Sequence, residues 1–248
     1  MSKKIIIKSR LNTYFQTTTN MERKGNEMDE DWIRFRIKLF KDYCLRSMIA
    51  QMNQSFNLLL TCRGETITFV KKEMGELPEN ISIISSEEFD NKVNELSKGY
   101  DFLYLVRVDS DDMWERHFIN LLHDYIPKLE TEVLINQNCY NYDISSGRLA
   151  SFFYKSPQSY VLIYKPEEYA KGKRHYLKRG HGGAILRKHE IIPGFNYMDT
   201  VHGKNIVSTF HPGSWQQWEE IEDKDDIKNI LADFGISKKE ELKDENKG

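Results

Sequence analysis

Apolar positions along this chain change period several times, and each change predicts a switch between strand and helix. The run Ile5-Ile6-Ile7 predicts a short buried strand that closes on the polar turn Arg10-Leu11-Asn12-Thr13. Further on, Ile33, Ile37, Phe40, Cys44 and Met48 recur at steps of four, three, four and four. That is one face of a helix, with Asp29 and Asp31 placed near its positive N-terminal end. Phe56–Leu60 and Ile81–Ile84 predict a second and a third strand, Glu87–Leu96 a helix, and Phe102–Val106 a fourth strand. Strand-helix alternation of this kind predicts a largely parallel sheet with helices on its faces, whose ligands lie beyond the carboxyl ends of the strands.

Beyond Asp112 the pattern turns helical again. Trp114, Phe118, Leu121, Leu122 and Tyr125 fall at helical spacing, and Asp112 with Glu115 has the arrangement of a capping box. Strands are expected at Val133–Ile135, Phe152–Tyr154 and Tyr160–Tyr164, separated by the turn signals Ser145-Ser146-Gly147 and Ser156-Pro157. From Glu219 onward charges dominate, and Ile227, Leu231 and Phe234 provide one apolar stripe. This predicts a final helix, ended by Gly235, and then a Lys/Glu-rich tail from Lys238 to Gly248. The expected division is a main domain over residues 1–222 and a charged helix and tail over 223–248.

Composition narrows the partners. A formal net charge of −2 over 248 residues provides no global attraction to nucleic acid or to an anionic membrane. Three widely spaced cysteines, Cys44, Cys62 and Cys139, suggest neither a disulfide framework nor a zinc site, and a reducing cytoplasm fits them best. No apolar run approaches the length of a membrane span, so contact with a membrane would be peripheral. The only dense basic stretch is Lys165 to Lys188, with eight Lys and Arg against Glu167 and Glu168. It reads as a solvated loop, as a lid over phosphates, or as a contact for an anionic acceptor or nucleic acid backbone.

The chemistry concentrates in Asp109-Ser110-Asp111-Asp112, where three carboxylates fall within four residues after an apolar strand. Carboxylates this close repel unless a cation or several donors compensate them. Hard divalent ions such as Mg2+ or Mn2+ bind one or two carboxylates together with phosphate oxygens, which suits a nucleotide diphosphate. A plainer reading makes Asp112 a helix cap and leaves Asp109 and Asp111 as solvated turn residues. A calcium EF-hand is excluded, because Met113 and Trp114 stand where that loop needs a ligand and a glycine.

The segment Tyr104-Leu-Val-Arg-Val-Asp-Ser-Asp-Asp-Met-Trp114 resembles the Asp-X-Asp segment of GT-A glycosyltransferases, in particular the putative rhamnosyltransferase family of bacteria. Arg10-Leu11 resembles that family's Thr-Arg-Phe/Leu element, with Ser9 in place of the threonine. Arg36, Phe40, Cys44, Ser47, Gln51 and Phe56 are similar to its first-helix pattern, with Arg46 where a proline is usual. His202-Gly-Lys-Asn205 resembles a His-Gly-X-Asn signature, so the likeness runs in pieces from Ser9 to Asn205.

The resemblance implies an α/β GT-A fold, a Rossmann-like mixed sheet flanked by helices. It also implies metal-dependent, inverting transfer of a sugar from a nucleotide diphosphate sugar to a hydroxyl of a glycan or similar acceptor. Asp111 and then Asp109 would hold Mn2+ or Mg2+, with Asp109 alternatively on the ribose; His211, in preference to His202, would complete the metal shell. Arg10, Arg107, Asp109 and His202 would line the donor. Asp199 would be the catalytic base, following a region, Gly182 to Lys188, whose small residues admit the sugar. The bland counterparts are a strand-end arginine in a structural ion pair, Asp199 as a cap, and histidines satisfied in the core. Two other readings stand beside this one: a phage-type transferase acting on modified DNA, and a carbohydrate-binding or interaction protein with a degenerate site. A sugar nucleotidyltransferase is disfavoured by the lack of a Gly-rich phosphate loop near the first strand.

Overall fold

The computed structural model describes residues 1–13, 28–178, 180–205, 209–210 and 217–236. Strand β1 (Lys3–Arg10) contains the predicted isoleucine run, and all three of those side chains are fully buried because helices cover both faces of the sheet. Ile5 and Ile7 join the main core, and Ile6 the smaller core on the opposite face.

Helix α1 (Glu30–Leu39) starts at Asp29, whose side chain accepts a hydrogen bond from the Trp32 amide. It runs through a π-helical turn, Phe40–Cys44, into α2 (Leu45–Ile49). The predicted stripe Ile33, Ile37, Phe40, Cys44 and Met48 is buried along this length. At the far end, Ser47 and Gln51 anchor the chain that follows the acid cluster. Ser47 Oγ accepts from the Trp114 amide at 3.3 Å, while Gln51 donates to the Glu115 carbonyl at 2.8 Å and accepts from the Ile119 amide at 3.1 Å.

Next come β2 (Asn57–Cys62), α3 (Ile67–Met74), β3 (Ile81–Ser85), α4 (Phe89–Ser97) and β4 (Phe102–Asp109). The four strands are parallel, in the spatial order β3-β2-β1-β4. Helix α3 went unpredicted because it is short and buries only Val70 and Met74 fully.

The second half is built differently. It comprises β5 (Met113–Trp114), α5 (Phe118–Asp124), β6 (Val133–Asp143), β7 (Arg148–Phe153), β8 (Tyr160–Tyr164), α6 (Pro166–Ala170), β9 (His189–Val201), β10 (Gln217–Ile221) and α7 (Lys224–Asp233). Strand β8 extends the sheet antiparallel to β4, and β6 joins it in turn. Along one edge β6 meets first β8 and then β7, while β9 follows its other edge in parallel across a bulge between Asn136 and Cys139. The two-residue strand β5 pairs with β9. The described residues thus form one mixed α/β sheet of ten strands, with helices on its faces.

One expectation is corrected here. Asp112 and Glu115 form no capping box: α5 begins at Phe118, and Glu115 accepts from the His117 amide instead. The reason is the Trp114 indole, fully buried, stacked at 3.7 Å on Phe118 and edge-on to Tyr197 at 5.2 Å. Sealing that ring between α5 and β9 outweighs one more turn of helix, because a buried aromatic contributes several times what a cap does.

The predicted last helix packs on this half through Leu231, Phe234 and Ile236, which meet Met113, Tyr142, Leu149 and Met198. Gly235 closes it at φ +82°, and a Cβ there would lie 2.8 Å from the Arg46 carbonyl and 2.9 Å from Ala50 Cβ. The tail beyond residue 236 lies outside the described residues. No helix among the described residues is long and apolar enough to cross a membrane.

Both strain and collision therefore oppose a side chain at residue 235. Gly235→Ala is expected to cost about 1–3 kcal/mol and lower the melting temperature by about 2–10 °C in calorimetry.

Candidate active site

Strands β2 and β3 lie on one side of β1 and β4 on the other, so chain connections diverge at the carboxyl ends of β1 and β4. Such a divergence opens a crevice where α/β sheets bind ligands. Arg10 and Asp109 are register partners at that point, and the acid cluster follows at once.

Each carboxylate has a different environment. Asp109 is 30% exposed at its side chain and takes Arg107 Nη2 on both oxygens at 3.0 Å, with Arg10 Nη2 at 3.6 Å. Asp111 is buried and held in a two-pronged pair by Arg36 from α1, Nη1 to Oδ2 at 2.9 Å and Nη2 to Oδ1 at 3.1 Å. His202 Nε2 approaches the same Oδ2 at 3.0 Å. Burial alone would raise the Asp111 pKa, but Arg36 and then His202 hold it well below the usual carboxylate range.

Asp112 points into the protein. Its Oδ1 accepts from the Thr200 amide at 3.0 Å, and its Oδ2 from the Tyr197 hydroxyl and, at 3.4 Å, from Gln158 Nε2. Burial pushes this carboxyl well up, and the charge of Asp199, followed by those of Asp111 and Asp109, pushes it further.

Asp199 reaches the cluster through strand pairing. Met113 of β5 stands opposite Met198 of β9, which puts the next residue outward on each strand, Asp112 and Asp199, side by side. Asp199 Oδ1 accepts from Gln158 Nε2 at 2.9 Å, and Oδ2 from Asn141 Nδ2 at 3.2 Å. His202 follows at the end of β9, in a turn where Asn205 accepts from the His202 amide and the Lys204 amide donates to Nδ1. With Nδ1 accepting, the network assigns the ring proton to Nε2, the atom that faces Asp111.

A carboxylate and an imidazole nitrogen converge at Asp111, ligand types that Mn2+ and Mg2+ chemistry accommodates, but Arg36 holds both Asp111 oxygens and the Nε2 proton must leave before that nitrogen can ligate. Asp109 is turned toward Arg107 instead. Among the described residues no three His, Cys, Asp or Glu side chains form a ready metal cage. His211 lies outside the described residues.

The basic stretch from 165 to 188 is partly engaged within the chain. Arg174 pairs with Asp90 at 3.0 Å and lies 3.5 Å over Tyr169, Arg187 pairs with Glu132 at 2.8 Å, and Lys173 pairs with Glu168 at 2.9 Å. Gly183 is needed for packing: a Cβ there would lie 2.0 Å from the Lys178 carbonyl oxygen. His175 is a core histidine, bound to the Ile163 carbonyl at 2.8 Å and stacked on Tyr164, and burial lowers its pKa.

Sequence reasoning gave no site role to Ser110, Gln158, Asn141, Tyr197 or Thr200, and saw Arg36 only as part of a helix pattern. An arginine beside the apolar stripe was a usable signal in the last case. Gln158, in the Ser156-Pro157 turn, had none.

The sheet is mixed, and neighbouring aspartates stand at its switch point. The model of the putative rhamnosyl transferase family matches residues 11–139, more than half of the 248, and the chain belongs to that family. A comparison with curated proteins gives no match. Among solved structures it is similar to S. aureus TarS 1-349, at 14% identity and TM-score 0.41, over 81% of this chain and 60% of that one. The same TarS fragment in complex with UDP-GlcNAc gives 12% identity and TM-score 0.43, over 83% and 60%. A putative nucleotide-diphospho-sugar transferase from Desulfovibrio desulfuricans gives 11% and 0.38, over 81% and 84%. The chain thus spans 60% of the length of the TarS fragment.

Removing one partner of the buried Arg36–Asp111 pair strands the other charge. Arg36→Met is expected to lose about 3–5 kcal/mol in urea denaturation, and the double variant Arg36→Met/Asp111→Asn to recover part of that loss.

Proposed function

We propose that this protein transfers a sugar from a nucleotide diphosphate sugar to a hydroxyl of a glycan or similar acceptor, with inversion at the sugar carbon and dependence on a divalent cation. The supporting observation is that an acid of β9, Asp199, lies beside Asp112 in the turn after β4, one residue from Asp111. Both partners of a displacement reaction can be served from one crevice.

Asp111 and His202 would hold Mn2+ or Mg2+, which when bound supplies charge neutralisation for the diphosphate leaving group. Arg10 and Arg107, at the ends of β1 and β4, bind and orient the donor, with Asp109 placed for the ribose or the cation. Asp199 accepts the proton of the acceptor hydroxyl as its oxygen attacks the sugar carbon opposite the departing diphosphate. Amide donors on each Asp199 oxygen, from Gln158 and Asn141, fix its direction.

A thermal-shift series with UDP-glucose, GDP-mannose and dTDP-rhamnose, with and without Mn2+, tests the donor site. One of them is expected to raise the melting temperature in the presence of metal, by mass action, and the gain is expected to vanish in Asp111→Asn. Absence of stabilisation by any of the three with either Mn2+ or Mg2+ would count against the reading.

A further inference from the structure

Gln158 lies in the loop before β8, yet it touches both halves of the site. Its side-chain nitrogen is within hydrogen-bonding reach of Asp199 Oδ1 at 2.9 Å, the Tyr197 hydroxyl at 3.0 Å and Asp112 Oδ2 at 3.4 Å. With carboxylate oxygens on that side, the amide must present its N–H groups there and not its carbonyl. Its main-chain carbonyl accepts from Arg107 Nη1 at 2.8 Å, and Nη2 of the same guanidinium holds both oxygens of Asp109 at 3.0 Å. A single residue therefore joins the acid exposed to the crevice at the end of β4 to the acid delivered by β9.

The chemistry of that pocket calls for such a group. Asp112 and Asp199 are 2% and 8% exposed and lie side by side, so each needs donors, and a second positive charge would bind the base too tightly to let it accept a proton. A neutral amide donates to both without quenching either. Asn141 repeats the device on the other Asp199 oxygen, at a longer 3.2 Å.

We propose that Gln158 is a positioning residue for the transfer reaction, which aligns the Asp199 carboxylate with the acceptor hydroxyl while its backbone registers Arg107 on Asp109. This rests on the transferase reading above, with Asp199 as base. Gln158 touches no reacting atom; it acts through Asp199.

The test uses the full chain, Mn2+ and whichever of UDP-glucose, GDP-mannose and dTDP-rhamnose stabilises the wild type, and follows release of nucleoside diphosphate with water as acceptor. Gln158→Met fills the same space without the amide. It is expected to lower kcat by about 30-fold, a part of the roughly 10²–10⁴-fold that a general base supplies, with KM for the donor unchanged. In an Asp199→Asn background the same substitution is expected to cost nothing further, which a merely structural role would not produce. Gln158→Glu, equal in shape, is expected to lose activity as well, so the test survives if the Met variant fails to fold. Full activity of Gln158→Met, or an equal loss with and without Asp199, overturns the role of Gln158 alone. A wild type that binds and turns over none of the three donors overturns the transferase reading, and this proposal with it.

Discussion

Four carboxylates, Asp109, Asp111, Asp112 and Asp199, gather where β4 and β9 end, and the rest of the architecture is arranged around keeping them there. Left alone they would repel, and three of the four are buried. Each is compensated differently: Asp109 by Arg107, Asp111 by Arg36 and His202, Asp112 by neutral donors and the rise of its own pKa, Asp199 by two amides. The compensating groups come from α1, β4, β6, the loop before β8 and the end of β9, so segments distant in sequence meet at the cluster. Stability and chemistry are drawn from the same bonds, and this ties the site to the global fold.

The first half of the fold was legible because its signals are local. Ile5–Ile7, Ile81–Ile84 and Phe102–Val106 are short apolar runs buried on both faces, and the stripe from Ile33 to Met48 has a helical period that no strand imitates. The second half obeys pairings that sequence spacing does not contain. Nothing near Met113 announces that it will pair with Met198, and helical spacing around Trp114 pointed to the wrong element. Strand β9, with Pro193 and Gly194 inside it and a bulge against β6, carries too irregular a pattern to be read as a strand.

The site divides in the same way. Asp109 and Asp111 could be read from three acids in four residues, because that density is costly without a purpose. Asp199 was reached through resemblance, and the structure brings it next to Asp112. The neutral members, Gln158, Asn141, Tyr197 and Thr200, were invisible, since an amide or hydroxyl gains meaning only from the charged group that folding sets beside it. The roles of Arg174 and Arg187 run the other way: a conspicuous basic stretch turns out to be partly occupied in holding α4 and β6.

The π-helical turn at Phe40–Cys44 makes the α1–α2 segment a gauge of fixed length. Arg36 lies before that turn and grips the acid cluster; Ser47 and Gln51 lie after it and grip the chain leaving the cluster. The wider turn takes up one residue without adding a turn, so a one-residue deletion there would leave an α-helical turn with Ser47 and Gln51 still in phase with Arg36, whereas the same deletion elsewhere in the helix would rotate them by about 100°. Both ends could then no longer face β4 and β5 together. The turn is consequently the place along this helix where a residue can be lost without uncoupling its two ends.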